Sequence, residues 1–168
     1  VVEPGSGVVA NAMAKRLEQI SYQLIPYKRS LDWQELHIGS TDIGRNKEKF
    51  ELMSRVARTK PDYVVSVHGH GSKRNDGNVV YLGGQDSGLL NDMASELNRG
   101  LYDLGFVTRV GEEVPEELRA LAPDNITNCL TADSVGLQIE LPFALRAIDP
   151  LRNRFIDAFC ESWSEITS

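Results

Sequence analysis

This chain of 168 residues has few cysteines and no excess of positive charge. The two cysteines, Cys129 and Cys160, are too few to predict a disulfide framework. No apolar run reaches the roughly 20 residues that a membrane-spanning helix needs, so we expect no membrane partner. The formal net charge of -6 argues against a general nucleic-acid binder, which needs a basic face to neutralise phosphates. A local basic pocket for an anionic substrate remains compatible with that charge.

Several catalytic motifs are also missing from the sequence. Residues 84–88 have the wrong spacing for the G-x-S-x-G elbow of serine hydrolases. No phosphate-binding loop of the G-x-x-x-x-G-K type occurs, and the glycines do not form a dinucleotide fingerprint. A cysteine–histidine nucleophile that uses Cys129 stays open, although the apolar neighbours Ile126 and Leu130 favour a packing role for this residue.

Alternating apolar and amphipathic segments predict an α/β fold. The absence of repeats, low-complexity tracts and linkers predicts a single domain over residues 1–168. Expected strands lie at residues 1–2, 22–25, 35–38, 62–67, 79–82, 106–110 and 135–141. Four helices are expected. The first carries Val9, Met13, Leu17 and Ile20 on one face, and the second follows an Asn46 cap and carries Phe50 and Met53. The other two cover residues 87–101 and 151–163. A polar loop is expected at residues 39–42. The order predicts a three-layer sandwich, with a mixed, mostly parallel sheet and helices on both faces.

Three ionisable residues fall at predicted strand ends, where ligands bind in such sheets: Glu3, His68 and Glu140. Glu3 and His68 are suitable zinc ligands, and Glu140 is a suitable base for the proton of an attacking water. Structural alternatives stay open. Glu3 can favour a helix N-terminus, His68 can hydrogen-bond within a turn, and Glu140 can lie on a solvated strand face. The strand of Glu140 is expected to be central and buried, however, where unpaired carboxylates are rare.

The other two histidines, His37 and His70, have open roles. In extended geometry His68 and His70 point to the same side, which permits both to bind one metal. The glycines at residues 69 and 71 weaken that interpretation, because the backbone can turn there. His37, in the predicted strand at residues 35–38, is equally compatible with a substrate contact and with a buried structural histidine.

Six short segments stand out in order along the chain. They lie at residues 2–6 (VEPGS), 36–41 (LHIGST), 65–69 (VSVHG), 82–84 (LGG), 123–128 (PDNITN) and 136–140 (GLQIE). Together they resemble the poly-γ-glutamate hydrolase family, phage-associated zinc peptidases related in fold to zinc carboxypeptidases. Each segment alone is weak, but the six in this order cover nearly the whole chain. The resemblance implies a zinc carboxypeptidase-like fold and hydrolysis of γ-glutamyl amide bonds.

The resemblance also implies a metal site. In the family, zinc is held by two histidines and a glutamate; Glu3 matches the glutamate ligand and His68 matches the second histidine. Glu140 resembles the carboxylate that activates the zinc water. The first histidine ligand should stand a few residues before Glu3, upstream of Val1, and we expect it in the full protein. The alternatives are an incomplete site and a substitute role for His70.

The same resemblance implies residues that contact substrate. Arg146 resembles a family arginine, and its planar fork could bind a substrate carboxylate. The family's D-N-x-x-N loop corresponds to the segment that holds Asn125 and Asn128, for which loop geometry is the structural alternative. His70, as a residue of the pocket wall, and His37 complete the set of candidate substrate-binding residues.

Three hypotheses of function are consistent with these residues. The leading one is a zinc-dependent hydrolase of γ-glutamyl or similar peptide bonds, with a carboxylate-bearing peptide or small molecule as substrate and no nucleic-acid partner. The second is a non-catalytic module on the same fold that binds glutamate-rich peptide or cell-wall material. The third is a metal site built from His68 and His70 with different chemistry. The acidic net charge fits a polyanionic substrate poorly unless the cleft itself is basic.

Overall fold

A computed structural model describes residues 5–21, 40–71, 76–133 and 135–168, and these ranges contain four strands and seven α-helices. The strands are β1 (Val64–Gly69), β2 (Val79–Gly83), β3 (Val107–Arg109) and β4 (Gly136–Leu141). The helices are α1 (Ser6–Arg16), α2 (Ser40–Arg45), α3 (Glu51–Thr59), α4 (Ser87–Leu101), α5 (Ile126–Leu130), α6 (Phe143–Ala147) and α7 (Asp149–Thr167). Short 3₁₀ turns lie at Lys47–Lys49, Tyr102–Leu104, Gly111–Glu113 and Glu116–Leu118.

The four strands form one mixed sheet in the order β1-β4-β2-β3. Strand β1 runs parallel to β4, and β2 runs parallel to β3, while β2 and β4 are antiparallel. Strand β4 has a neighbour on each side, and all of its residues are buried. The predicted α/β class, mixed sheet and buried central strand are therefore confirmed. The alternative that placed Glu140 on a solvated strand face is wrong.

The main core lies between one face of the sheet and helices α1, α4, α6 and α7. Because side chains alternate along a strand, Leu137, Ile139 and Leu141 of β4 all point to this face and are fully buried. Val80 and Leu82 of β2 extend the same apolar layer. This alternation leaves the polar residues of β4 on the opposite face.

Helix α4 illustrates how local signals build the core. The Asp86 side chain accepts a hydrogen bond from the Leu89 backbone N–H at 3.0 Å, which caps the helix. Gly105, at φ 72°, takes the left-handed conformation after the 3₁₀ turn that follows the helix. Buried residues recur at helical spacing: Leu90, Met93, Leu97 and Leu101.

Helices α2, α3 and α5 cover the other face of the sheet beside β1. Their apolar side chains form a second cluster that partly buries Val64. The buried members of this cluster are Ile43, Met53, Val56, Ile126 and Leu130. A third, smaller cluster joins Val79 and Tyr81 of β2 to Val114. Helices therefore flank the sheet on both sides, and the second face keeps room between its clusters for polar residues.

Helix α1 ends earlier than its apolar pattern predicts. The helix stops at Arg16, and Glu18 adopts a left-handed backbone conformation with φ 55°. Ile20 is consequently 77% exposed instead of contributing to the helix face. A left-handed residue cannot continue a right-handed helix, so the predicted position of Ile20 on this helix is wrong.

The expected polar loop at residues 39–42 is also wrong where the structure describes it, because Ser40–Arg45 forms helix α2. Ile43 is buried in the second cluster and anchors this short helix. Asn46 does not cap a long helix: its Oδ1 accepts from Lys49 Nζ at 2.7 Å, and Nδ2 donates to the Asp42 carbonyl at 3.0 Å. Helix α3 instead begins at Glu51, without a side-chain cap.

The strands predicted at residues 1–2, 22–25 and 35–38 lie outside the described residues. The last helix is longer than predicted, since Asp149 and Pro150 form its first turn, where proline is well tolerated. In the part of the chain that the structure describes, no helix combines the length and apolarity needed to cross a bilayer.

Candidate active site

The face of the sheet opposite the main core carries the polar residues of β1 and β4. The register pairs Ser66 with Gln138, and His68 with Glu140. Register partners on adjacent strands share a face, and the strands lie about 4.7–4.9 Å apart. The pair of His68 and Glu140 stands near the carboxyl ends of two parallel strands, which is the edge where α/β sheets place their ligands. The structure therefore brings His68 and Glu140 together, as the sequence predicts.

Glu140 also has a neighbour on its other side. In the antiparallel pair β2–β4, Tyr81 is the register partner of Glu140 and Gly83 is that of Gln138. Only 6% of Glu140 is exposed. A carboxylate that is buried this far is stable only when hydrogen bonds satisfy its oxygens.

A buried hydrogen-bond relay supplies one of those bonds. Gln138 Nε2 donates to Glu140 Oε1 at 3.1 Å, and Gln138 Oε1 accepts from Asn125 Nδ2 at 3.3 Å. The Oδ1 atom of Asn125 accepts from the Thr127 backbone N–H at 3.0 Å and so caps helix α5. Asn125 is thus both a helix cap and a support for the candidate base; its expected contact with substrate stays a prediction.

Arg146 is buried against the ends of β1 and β4. Its Nε donates to the Leu141 carbonyl at 3.2 Å, and its Nη2 donates to the His70 carbonyl at 3.4 Å. The guanidinium occupies the space above Gly69, where any Cβ would overlap it. Arg146 therefore links the ends of β1 and β4 through hydrogen bonds to backbone carbonyls. Its expected contact with a substrate carboxylate stays a prediction.

His70 is directed towards β2. Its Nε2 lies 2.7 Å from the carbonyl oxygen of Val79 and must carry the proton, since a carbonyl only accepts. Its Nδ1 faces Asp76 Oδ1 at 3.8 Å, and Asp76 Oδ2 accepts from the Tyr81 hydroxyl at 2.9 Å. This geometry supports a place for His70 in the pocket wall. It disfavours the hypothesis that His68 and His70 hold one metal between them.

Asn128 supports the loop that precedes helix α5. Its Nδ2 donates to the Ala120 carbonyl at 2.7 Å and to the Ala122 carbonyl at 2.9 Å. Ala120 has a φ of 53°, a conformation that an alanine keeps only when its surroundings hold it. Asn128 is 1% exposed. These contacts support the structural alternative for Asn128, while its substrate role stays a prediction.

Glu3 and His37 lie outside the described residues. Gly5, two residues after Glu3 in sequence, packs against helix α6, because a Cβ there would lie 2.6 Å from the carbonyl oxygen of Arg146. The described chain thus starts at the same end of the sheet as His68. Across residues 5–21, 40–71, 76–133 and 135–168, no three His, Cys, Asp or Glu side chains group as a metal site would require.

Cys129 is a half-buried residue of the cluster around Ile126. Burial raises the pKa of its thiol, and the nearby Lys47 charge only partly offsets that effect. A thiol with a raised pKa carries less of the thiolate that acts as a nucleophile. The structure therefore favours the packing role of Cys129 over a cysteine–histidine mechanism.

Three residues of this region were missed by the sequence interpretation: Gln138, Tyr81 and Asp76. One signal could have found Gln138, because it lies two residues before Glu140 and shares its face of a buried strand. A buried amide must find partners, and the neighbouring carboxylate is the closest candidate. Tyr81 and Asp76 gave no such signal, since their contact depends on the register between strands and on the loop before β2.

The chain is similar to a known protein family and to solved structures. The family model described as poly-gamma-glutamate hydrolase matches residues 1–151. A solved structure of YNDL in an apo, zinc-free form has a TM-score of 0.68 at 22% identity, over 97% of this chain and 79% of that one. The structure of a bacteriophage poly-gamma-glutamate hydrolase has a TM-score of 0.67 at 18% identity, over 99% and 79%. Curated proteins give no match. The solved structures establish the shared fold.

Proposed function

The chain belongs to the poly-γ-glutamate hydrolase family, and on that premise we propose that it cleaves γ-glutamyl amide bonds in a zinc-dependent reaction with Glu140 as the general base. The observation that carries the proposal is the pairing of His68 with Glu140 at the carboxyl ends of β1 and β4. A metal ligand and a base must act on the same water, and this register sets the two side chains next to each other on one face.

The donor types of the proposed ligands fit zinc. Imidazole nitrogen and carboxylate oxygen are both common zinc donors, and His68 and Glu3 would supply one of each. Gly5 packs against Arg146, and Arg146 covers Gly69, the residue after His68. The segment that follows Glu3 therefore lies at the end of the sheet that the proposal requires. When bound, zinc supplies Lewis-acid polarisation of the scissile carbonyl and acidifies the attacking water.

Glu140 carries the proton transfers of the proposed reaction. Its carboxylate takes one proton from the attacking water, whose oxygen forms the new bond to the amide carbon. The carbon–nitrogen bond then breaks, and Glu140 returns the proton to the leaving nitrogen. The second proton of the water passes from the new carboxyl group to the amine, so that a carboxylate and an ammonium group are formed. Glu140 is ready for this role because it is buried and held by Gln138, which keeps the carboxylate in one orientation.

Substrate recognition must be local in this protein. The net charge of -6 opposes the long-range attraction of a polyanion. A poly-γ-glutamate chain carries a free α-carboxylate on each residue, so a few donors in the site can recognise it. We assign this function to Arg146 together with His37 and His70, because the side-chain donors of Asn125 and Asn128 already face Gln138 and the Ala120 and Ala122 carbonyls.

The linkage preference of the zinc-loaded protein tests the proposed function. We expect new amino groups to appear from poly-γ-glutamate at least about 100-fold faster than from poly-α-glutamate, because donors placed for one backbone leave polar groups unpaired with the other. The two polymers have the same charge, so the α-linked polymer is the matched control. Equal rates would contradict the assigned specificity. Binding of the γ-linked polymer without any cleavage would favour the non-catalytic module.

A further inference from the structure

We propose that Gln138 is a positioning residue for Glu140 and that Asn125 sets its orientation. The inference rests on the proposed function, in which Glu140 is the general base. It adds a defined relay, Thr127 N–H to Asn125 to Gln138 to Glu140, in which each group acts on the next. All four residues are buried, so water does not compete for these bonds.

The direction of the relay is set at its first bond. The backbone N–H of Thr127 can only donate, so the Asn125 atom at 3.0 Å from it must be the amide oxygen. The hydroxyl of Thr127 contacts the same oxygen at 2.6 Å. The other atom of the amide is therefore the NH₂ group, and it is the one that faces Gln138. Helix capping thus removes the ambiguity that side-chain amides usually have.

The orientation of the Gln138 amide follows from that of Asn125. Because Asn125 presents a donor, the Gln138 atom that faces it must be the oxygen, and its NH₂ group must face Glu140. The carbonyl of Leu118, 3.4 Å from Gln138 Nε2, accepts from the same group and favours the same orientation. A reversed Gln138 amide would place its oxygen against both the Leu118 carbonyl and the Glu140 carboxylate, where two acceptors would meet.

The relay therefore ends in a donor aimed at Oε1 of Glu140. It selects one rotamer of the carboxylate and so fixes the orientation in which a general base meets the water that it deprotonates. Gln138 does not have to touch substrate for this effect. Its contribution passes entirely through Glu140, and this feature separates it from a residue that merely supports the fold.

The test compares Gln138→Leu, Asn125→Asp, Glu140→Gln and the double variant Gln138→Leu/Glu140→Gln in the zinc-loaded protein with poly-γ-glutamate. We expect kcat of Gln138→Leu to fall by about 10–100-fold, the range for loss of a residue that supports a metal-site group. KM and zinc content should stay within about 2-fold of wild type, because neither depends on the relay. The double variant should be no slower than Glu140→Gln alone, since Gln138 has nothing left to position.

Asn125→Asp is the sharpest variant, because it keeps the oxygen that caps helix α5 but removes the donor to Gln138. We expect it to lower kcat in the same range and to lower the melting temperature by only a few degrees, because the helix cap is kept while the buried Gln138 oxygen loses its donor; it also serves if Gln138→Leu folds poorly. Cys129→Ser, in the same helix but outside the relay, is the matched control and should stay within about 2-fold of wild type.

Three results would overturn the relay: a wild-type kcat in both Gln138→Leu and Asn125→Asp, a KM effect in place of a kcat effect, or a double variant slower than Glu140→Gln by the factor of the single variant. A Glu140→Gln variant that keeps full activity would overturn the proposed function itself. An inactive Glu140→Gln beside fully active relay variants would overturn only the relay.

Discussion

Replacing Glu140 by glutamine should lower kcat for poly-γ-glutamate by about 10²–10⁴-fold, the range that a positioned general base contributes. Glutamine has the shape of glutamate but cannot take a proton from water. Its amide oxygen can still accept from Gln138 Nε2, which now contacts Oε1 of Glu140. The variant should therefore keep its fold, and its zinc content should match that of the wild type.

The measurement is the rate of new amino groups together with zinc per chain and the melting temperature. Cys129→Ser provides a control in which a polar substitution of similar size leaves the proposed chemistry untouched. If Glu140→Gln hydrolyses the polymer within a few-fold of wild type, Glu140 is not the base. A variant that loses both zinc and activity would instead indicate that Glu140 is a ligand.

Replacing His68 by alanine should differ from Glu140→Gln in its effect on zinc content. We expect zinc to be lost and hydrolysis with it, because an imidazole donor of the proposed site disappears. The loss of affinity should exceed the about 10–100-fold that removal of a supporting residue costs. Zinc per chain after gel filtration, measured by elemental analysis, reports this directly, and the rate with poly-γ-glutamate should fall in parallel.

His70→Gln is the comparison that makes the His68 result informative. A glutamine at this position keeps a donor for the Val79 carbonyl, which Nε2 of His70 now contacts at 2.7 Å. Zinc content should stay near that of the wild type, since the His70 ring is directed to β2. Equal zinc loss in both variants would revive the hypothesis that the two histidines share a metal. Full zinc content in His68→Ala would remove His68 from the ligand set.

The sequence predicts the central strand and the placement of Glu140 on it, for a simple physical reason. Along residues 136–141 the side chains alternate, so one apolar stripe identifies the core face and assigns Glu140 to the other face. The apolar run before His68 likewise predicts strand β1, although all six of its residues are half-buried and not fully buried. These signals are local, and the parallel pairing of the two strands then places His68 beside Glu140.

Features that depend on contacts between distant segments were not predictable in the same way. Helices α5 and α6 have five residues each, too few to show a periodic apolar pattern. The burial of Arg146 over Gly69 depends on the turn of α6 back onto the sheet. The contact from Gln138 to Glu140 could be suspected from spacing, but its direction follows from the Asn125 cap, which only the structure places next to it.

Zinc titration of the metal-stripped protein is the most direct test of zinc-dependent hydrolysis at this site. The protein is treated with a chelator, dialysed, and assayed for new amino groups from poly-γ-glutamate as zinc is added back. The stripped protein should be inactive, and activity should rise linearly to a break at about one zinc per chain, as expected for a single catalytic site. Hydrolysis that survives complete removal of zinc, or no hydrolysis at any zinc level, would contradict the proposed function.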